Sequence, residues 1–345
     1  MNPTAWFSEV GIADRPTVGG KGGSLGELTQ AGIQVPPGFV VTTGAFEQFL
    51  EALEAREPVR AKVSGIDPDD LGAVTKVSEE LRRRVIEEPL PSAVEQAIRD
   101  AYAELSPGEE PVAVRSSATT EDADDASFAG LQDTFLWVLG ADQMIERVRE
   151  CWGSLYSVES ICYRRKQGLP EDGVAMAVVV QRMVDAMCAG VMFTRSPLTG
   201  DKSVITIEGA WGLGSAVVSG EVTPDRWVIG KITGEISVRD ISDKHARQVP
   251  APGGGIHEVA NEEAIASQPC LTDEQLMALR EVGRRIEGHY GKPQDIEWAL
   301  DQDGQVFLLQ SRPETVWSAK DAAAPVKPPE DNPLKHVMSI FGGKR

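Results

Sequence analysis

Over residues 295–312 the chain reads DIEWALDQDGQVFLLQSR, two apolar runs of strand-like composition around Asp303-Gly304. Such runs predict strands, and Asp-Gly is favoured in two-residue hairpin turns because both central positions need positive φ. With those two residues as the turn, Gln302 pairs with Gln305, Glu297 lies opposite Gln310, and Asp295 lies opposite Arg312. Opposed residues share a face that repeats every second position. Asp295, Glu297, Gln310 and Arg312 therefore form one polar square. Ile296, Trp298, Leu300, Phe307 and Leu309 take the other face as core surface.

Helical periodicity dominates elsewhere. It predicts a helix over 43–55, two helices between 73 and 104 broken near Pro89 and Pro91, one or two over 142–167, and one over 271–288. Met144, Ile145, Val148, Cys151, Trp152 and Leu155 make an inward stripe of ordinary core. Residues 35–41 form a turn feeding a short buried strand. The run AMAVVVQRMV at 175–184 reads as a central strand buried on both faces. Further strands are expected at 190–194, 204–207 and 224–229, and the glycine-rich 209–214 opens a helix-like segment. After Trp317 the composition turns Pro- and Ala-rich, as in a linker, ending in an apolar patch at 337–341. The expected division is an N-terminal lobe at 1–190, a C-terminal lobe at 191–317 and a tail at 318–345.

With 345 residues, 41% hydrophobic and 25% charged, the chain is globular and long enough for two lobes. Its formal charge of −19 excludes a nucleic-acid or anionic-membrane surface. No apolar run approaches membrane-spanning length, and the start MNPTAWFSEV lacks a signal peptide's pattern. A cytoplasmic location is expected. The four cysteines are scattered without a CxxC pair, so they read as free core thiols.

Two carboxylates, an amide oxygen and a guanidinium on rigid strands suit a magnesium–phosphate site, since magnesium takes hard oxygens and arginine matches phosphate bidentately. An exposed face of cross-strand polar pairs fits these residues equally well. The stretch VGGKGGSLGEL at 18–28 places four glycines around Lys21, suited to close approach by an anion, although a flexible loop also fits. It is no Walker A loop, because Gly22 follows Lys21, and the stretch before Ser24 is too poor a strand for a nucleophile elbow. Val112-Ala113-Val114 reads as a strand delivering Arg115 at its end. The acidic run 121–125 reads as a solvated loop, and 127–135 as a small-residue flap in which Gly130 permits close approach. A glycine hairpin beside a structural arginine explains that region as well. The strand end Gln181-Arg182-Met183-Val184 can present backbone groups to an adenine edge.

Eight stretches in this order resemble the ATP-binding domain of the phosphoenolpyruvate synthase and pyruvate phosphate dikinase family, shared with rifampin phosphotransferase. They are VGGKGGSLGEL, VAVRSSATTED, SFAGLQDTF, VVVQRMV, GVMFTRSP, GAWGLG, SGEVTPDR and DIEWALDQDGQVFLLQSRPET. The resemblance covers about residues 5–317 and implies an α+β, two-lobed ATP-grasp fold holding Mg2+ and ATP between its lobes. Position by position, it implies that Lys21 and Arg115 contact phosphates and that Gly130 and Thr134 lie in a phosphate flap. Gln181 and the Met183-Val184 backbone would form the base. Glu297 and Gln310 would ligate magnesium, with Arg312 at the terminal phosphate. Lys21, Arg115 and Arg312 are thus the implied catalytic cations.

The chain departs from the family at Ser196, where an acidic residue is frequent after FTR. None of its histidines (His245, His257, His289, His336) has the surroundings of the family's phosphoryl-accepting histidine. A lone lobe of this kind resembles the ATP-binding subunit of phenylphosphate synthase and related alkylphenol-phosphorylating enzymes. That resemblance implies a partner subunit with a phosphohistidine domain, a phenolic acceptor, and release of AMP. A stand-alone carboxylate–amine ligase, a non-catalytic ATP sensor and a piece of a longer synthase are the alternatives.

Overall fold

The computed structural model describes residues 2–119 and 133–323. The first lobe contains strands β1 (Thr4–Trp6), β2 (Gly38–Val41), β3 (Val112–Ala118), β4 (Thr134–Val138) and β5 (Met176–Arg182). They form an antiparallel sheet in the order β1-β2-β5-β3-β4. Strand β5 is central and buried almost throughout, which is why its sequence is a continuous apolar run. Helices α1 (Arg15–Gln30), α2 (Thr43–Glu54), α3 (Val59–Ser64), α4 (Leu71–Glu87), α5 (Ser92–Leu105), α6 (Ala141–Gly153) and α7 (Val158–Lys166) complete this lobe. Along β3 the side chains alternate: Val112 and Val114 enter the large core with α2 and α4–α7, and Arg115 and Ser117 take the opposite face. Arg115 thus stands mid-strand rather than at a strand end.

The glycine-rich stretch around Lys21 is buried helix, not flexible loop. Its glycines let α1 lie against neighbouring backbone: a Cβ on Gly26 would fall 2.1 Å from the Val10 carbonyl oxygen. The helix is interrupted at Gly19, whose φ of +72° and approach to the Ser117 carbonyl exclude any side chain. Ser117 Oγ donates to Val18 O at 3.0 Å and accepts from Gly22 N–H at 3.2 Å, fixing the interruption to β3. Ser24 donates to Ser311 O at 2.6 Å, in keeping with its exclusion as a nucleophile.

The second lobe is built on β6 (Ala186–Phe193), β7 (Val204–Trp211), β8 (Asp225–Gly230), β9 (Ile236–Asp240), β12 (Gln294–Asp301) and β13 (Val306–Pro313), with β10 (Ala246–Pro250) and β11 (Ile256–Ala260) as a separate ribbon. The six-stranded order is β13-β12-β6-β7-β8-β9. Helices α8 (Ser215–Val218), α9 (Glu263–Ala266), α10 (Asp273–Tyr290) and α11 (Val316–Ala323) accompany these strands. The expected lobe boundary at residue 190 falls inside β6; the chain changes sheet between Arg182 and Ala186. Gly209 and Trp211 belong to β7, not to a helix opening, because this segment pairs with β6 through Trp211.

The hairpin keeps the expected couples Glu297–Gln310 and Asp295–Arg312 but reaches them differently. Its loop is one residue longer: Asp301 N–H donates to Gln305 O, Gly304 N–H donates to Asp301 O, and Gly304 has φ +81°. This is a three-residue connection with glycine in the left-handed position. A bulge at Leu309 then restores the register, since Trp298 pairs with Leu308 while Glu297 pairs with Gln310. The core face accordingly takes Leu308 beside Ile296, Trp298 and Leu300. The expected Phe307 and Leu309 lie in a smaller apolar cluster with Ala299, Ala189 and Leu213.

Candidate functional site

One cavity of about 360 Å3 lies between the two sheets. Lys21, Arg115, Thr134, Gln181, Met183, Val184, Glu297, Gln310 and Arg312 all line it. These are the site residues expected from sequence with the exception of Gly130, which lies outside the described residues together with the acidic run. They arrive from α1, β3, β4, the end of β5 and the β12–β13 hairpin. Lys21 comes from α1, and Arg115 and its cross-strand partner Thr134 come from β3 and β4. The Gln181–Val184 segment ends β5, and the rest stand on the hairpin.

The Arg115 guanidinium crosses from the first sheet to the second. Its Nη2 donates to Glu297 Oε2 at 3.0 Å and to Gln310 Oε1 at 2.7 Å, while Nη1 donates to Leu309 O at 2.8 Å. The last bond depends on the bulge, which leaves the extra residue outside the strand ladder. Leu309 and Gln310 therefore both face the cavity although they are consecutive. Arg115 has a side chain only 9% exposed.

Asp295 lies deeper than its place in the square suggested. Burial, aided by the nearby Glu314 carboxylate and opposed by Arg312, pushes its carboxyl up to about 6. Its Oδ1 is buried with no hydrogen-bond partner among the described residues, and Arg312 Nε stands 3.6 Å from Oδ2. Arg312 itself is half-exposed at the cavity mouth.

At the opposite end the walls are apolar, from Ala186, Ala189, Leu213, Ala299 and Leu309. The sequence reading missed this wall. Its signal lay in Ala299, two residues beyond Glu297 on the same face, and in Ala189 opposite it on β6. Gln181 is buried, with Nε2 donating to Pro36 O at 3.2 Å. Met183 N–H is taken by Pro111 O at 2.9 Å. Met183 and Val184 line the cavity beside Gln181. Ser196 serves a turn: its Oγ accepts from Thr199 N–H at 3.2 Å, beside the buried Arg195–Glu314 pair.

Residues 15–332 match the model of the pyruvate phosphate dikinase AMP/ATP-binding domain. The chain belongs to that family. A probable phosphoenolpyruvate synthase of Staphylothermus marinus is 41% identical over 369 residues, spanning 98% of this chain and 44% of that protein. Phosphoenolpyruvate synthase of Pyrococcus furiosus is 40% identical, spanning 90% and 43%. Rifampicin phosphotransferase of a Streptomyces species is 42% identical, spanning 97% and 38%. The chain thus covers less than half the length of each of these relatives. D-alanyl-alanine synthetase A of Vibrio cholerae superposes only loosely, with a TM-score of 0.28 at 12% identity over 69% of this chain and 54% of that one. This pyruvate phosphate dikinase-type domain is an α+β fold built on a five-stranded and a six-stranded sheet. Among its described residues no helix is long and apolar enough to cross a membrane.

Proposed function

We propose that this domain binds Mg-ATP in the interlobe cavity and passes the β- and γ-phosphoryl groups together to a histidine lying outside its own residues, with release of AMP. The observation that carries the reading is the convergence of Glu297 Oε2 and Gln310 Oε1 on one cation, 3.0 and 2.7 Å from the same guanidinium nitrogen. Two hard oxygens aimed at a single point fit magnesium, which takes few protein ligands and fills its octahedron with water and phosphate. A bound magnesium would neutralise charge developing on the phosphate chain. Lys21, Arg115 and Arg312 supply the remaining positive charge, and arginine's fork suits phosphate oxygens. The apolar end takes the base, whose edge Met183 C=O and Val184 N–H address.

The family resemblance supplies the chemistry. The accepting imidazole nitrogen attacks the β-phosphorus and the bond to the α-phosphate oxygen breaks, so AMP leaves. Water then cleaves the γ-group as phosphate, and the phosphoryl left on histidine moves to the acceptor. In the structure neither His245, His257 nor His289 lines the cavity, and His289 sits 2.8 Å from Glu27 Oε1. A phosphohistidine domain on a partner subunit, with a phenol or alkylphenol as final acceptor, is the arrangement we favour, from the likeness to phenylphosphate synthase subunits. Mixing the chain with the co-purifying partner and labelled ATP should give AMP and phosphate. ADP as the sole product would overturn the dikinase chemistry, and ADP formed with no partner would favour a ligase.

A further inference from the structure

We infer that Arg115 is an internal counter-cation that occupies the metal oxygens of the nucleotide-free protein, so that metal and guanidinium compete for Glu297 and Gln310. The inference rests on the proposed magnesium role of those two residues. It begins from a conflict: one nitrogen of Arg115 already bonds to both oxygens, at 3.0 and 2.7 Å. A divalent ion taken by the same two oxygens would meet the guanidinium at contact distance, and like charges that close repel strongly in a partly buried site. Ion and guanidinium cannot hold these oxygens together.

The resting position of Arg115 is fixed rather than incidental. The residue is mid-strand in β3, its side chain is nearly buried, and Nη1 is tied to the bulge carbonyl of Leu309 at 2.8 Å. A metal arriving alone would have to expel this charge with no anion to receive it. A nucleotide changes both sides of the exchange. Its phosphates give the guanidinium a better bidentate partner, and they supply the oxygens that a magnesium ion needs beyond two protein ligands. The order that follows is nucleotide with metal, not metal first. The swap also replaces one tie between the lobes, Arg115 to Glu297, by another running through phosphate and metal.

Mn2+ uptake, read from the loss of the free-ion electron paramagnetic resonance signal of the full chain, tests this without any turnover. Wild type should bind Mn2+ weakly alone and tightly with β,γ-methylene-ATP. Arg115→Met should bind one Mn2+ without nucleotide at least about tenfold more tightly than wild type, which corresponds to about 1.4 kcal/mol. Adding Glu297→Gln to that variant should remove the gain. An Arg115→Met protein no better than wild type, or a wild type that binds Mn2+ tightly alone, overturns the inference but leaves the Mg-ATP reading standing. Conversely, Glu297→Gln binding Mn2+ and analogue like wild type overturns the Mg-ATP reading itself. Should Arg115→Met and Arg115→Gln both fail to fold, the guanidinium 15N resonances of wild-type Arg115 decide. Mg2+ alone should leave them in place and Mg2+ with the analogue should move them; movement with Mg2+ alone overturns the inference.

Discussion

Glu297 faces Gln310 across the β12–β13 ribbon, yet its chain neighbour Trp298 faces Leu308, so Leu309 stands unpaired between them. That extra residue turns an apolar side chain into the cavity next to Gln310 and presents its carbonyl to Arg115. One bulge therefore serves both the apolar wall of the cavity and the cation.

Leu309→Ala should weaken ATP binding by roughly tenfold, because most of a leucine side chain leaves the wall of the apolar end. Magnesium dependence should stay intact, since the Arg115 bond uses the main chain. Isothermal calorimetry with β,γ-methylene-ATP checks both; unchanged affinity would remove Leu309 from the base site.

Gly19→Ala should destabilise the protein by about 3 kcal/mol or more, since it adds left-handed strain to a collision with backbone. A Cβ there would fall 2.1 Å from Ser117 O. Urea unfolding measures the loss, and nucleotide binding should fall with it because the interruption positions Lys21.

Asp225 and Lys244 form a fully buried pair 2.6 Å apart, and Asp225 also accepts from the N–H groups of Ser242 and Cys270. The motif SGEVTPDR thus carries a structural aspartate outside the cavity. Asp225→Ala should cost about 3–5 kcal/mol, the penalty of leaving a buried ammonium alone. Asp225→Leu combined with Lys244→Met should recover part of it, the two orphaned amides preventing full recovery. Denaturant midpoints of the single and double variants decide.

Glu208 on β7 shares the cleft-side row of Glu297, through Val191, and burial raises its pKa against the pull of Arg226. Between the unfolded value near 4.5 and the higher folded value, the folded state binds more protons, so this group's contribution to stability falls as pH rises. Glu208→Gln should match wild type near pH 4 and melt above it near pH 7.5. Half-burial keeps the gap small, roughly 1–2 °C. A variant that melts lower than wild type at pH 7.5 would contradict the sign.

The hairpin couples and most helices were legible because period and capping act over a few residues. The couples survived two unread features, a loop one residue longer and a bulge, whose register shifts cancel before Gln310. Neither is encoded by local alternation, which explains why Phe307 and Leu309 were assigned to the wrong face and Leu308 takes the core position. The glycines around Lys21 suggested a loop because intrinsic propensity disfavours glycine in helices. Burial against β3 and the Val10 carbonyl overrode it, and such contacts are invisible along the chain. The crossing of Arg115 to the second sheet joins residues about 180 positions apart, beyond any spacing argument. The ribbon of β10 and β11 was missed because its strands are only half-buried and carry mixed polarity.

The tip of that ribbon donates from Gly255 N–H to the carbonyl of Trp137, at the end of β4 in the other lobe, and Trp137 holds a positive φ of 57° to receive it. Any hinge opening must either rupture this clasp or drag the ribbon along. Within its own lobe the ribbon is moored at Gln248, whose carbonyl accepts from Leu213 N–H at 3.1 Å and whose Nε2 donates to Glu221 Oε2 at 3.0 Å. Residues 246–260 therefore bridge both halves, and any such motion loads Gly255 at one end of the bridge and Gln248 at the other.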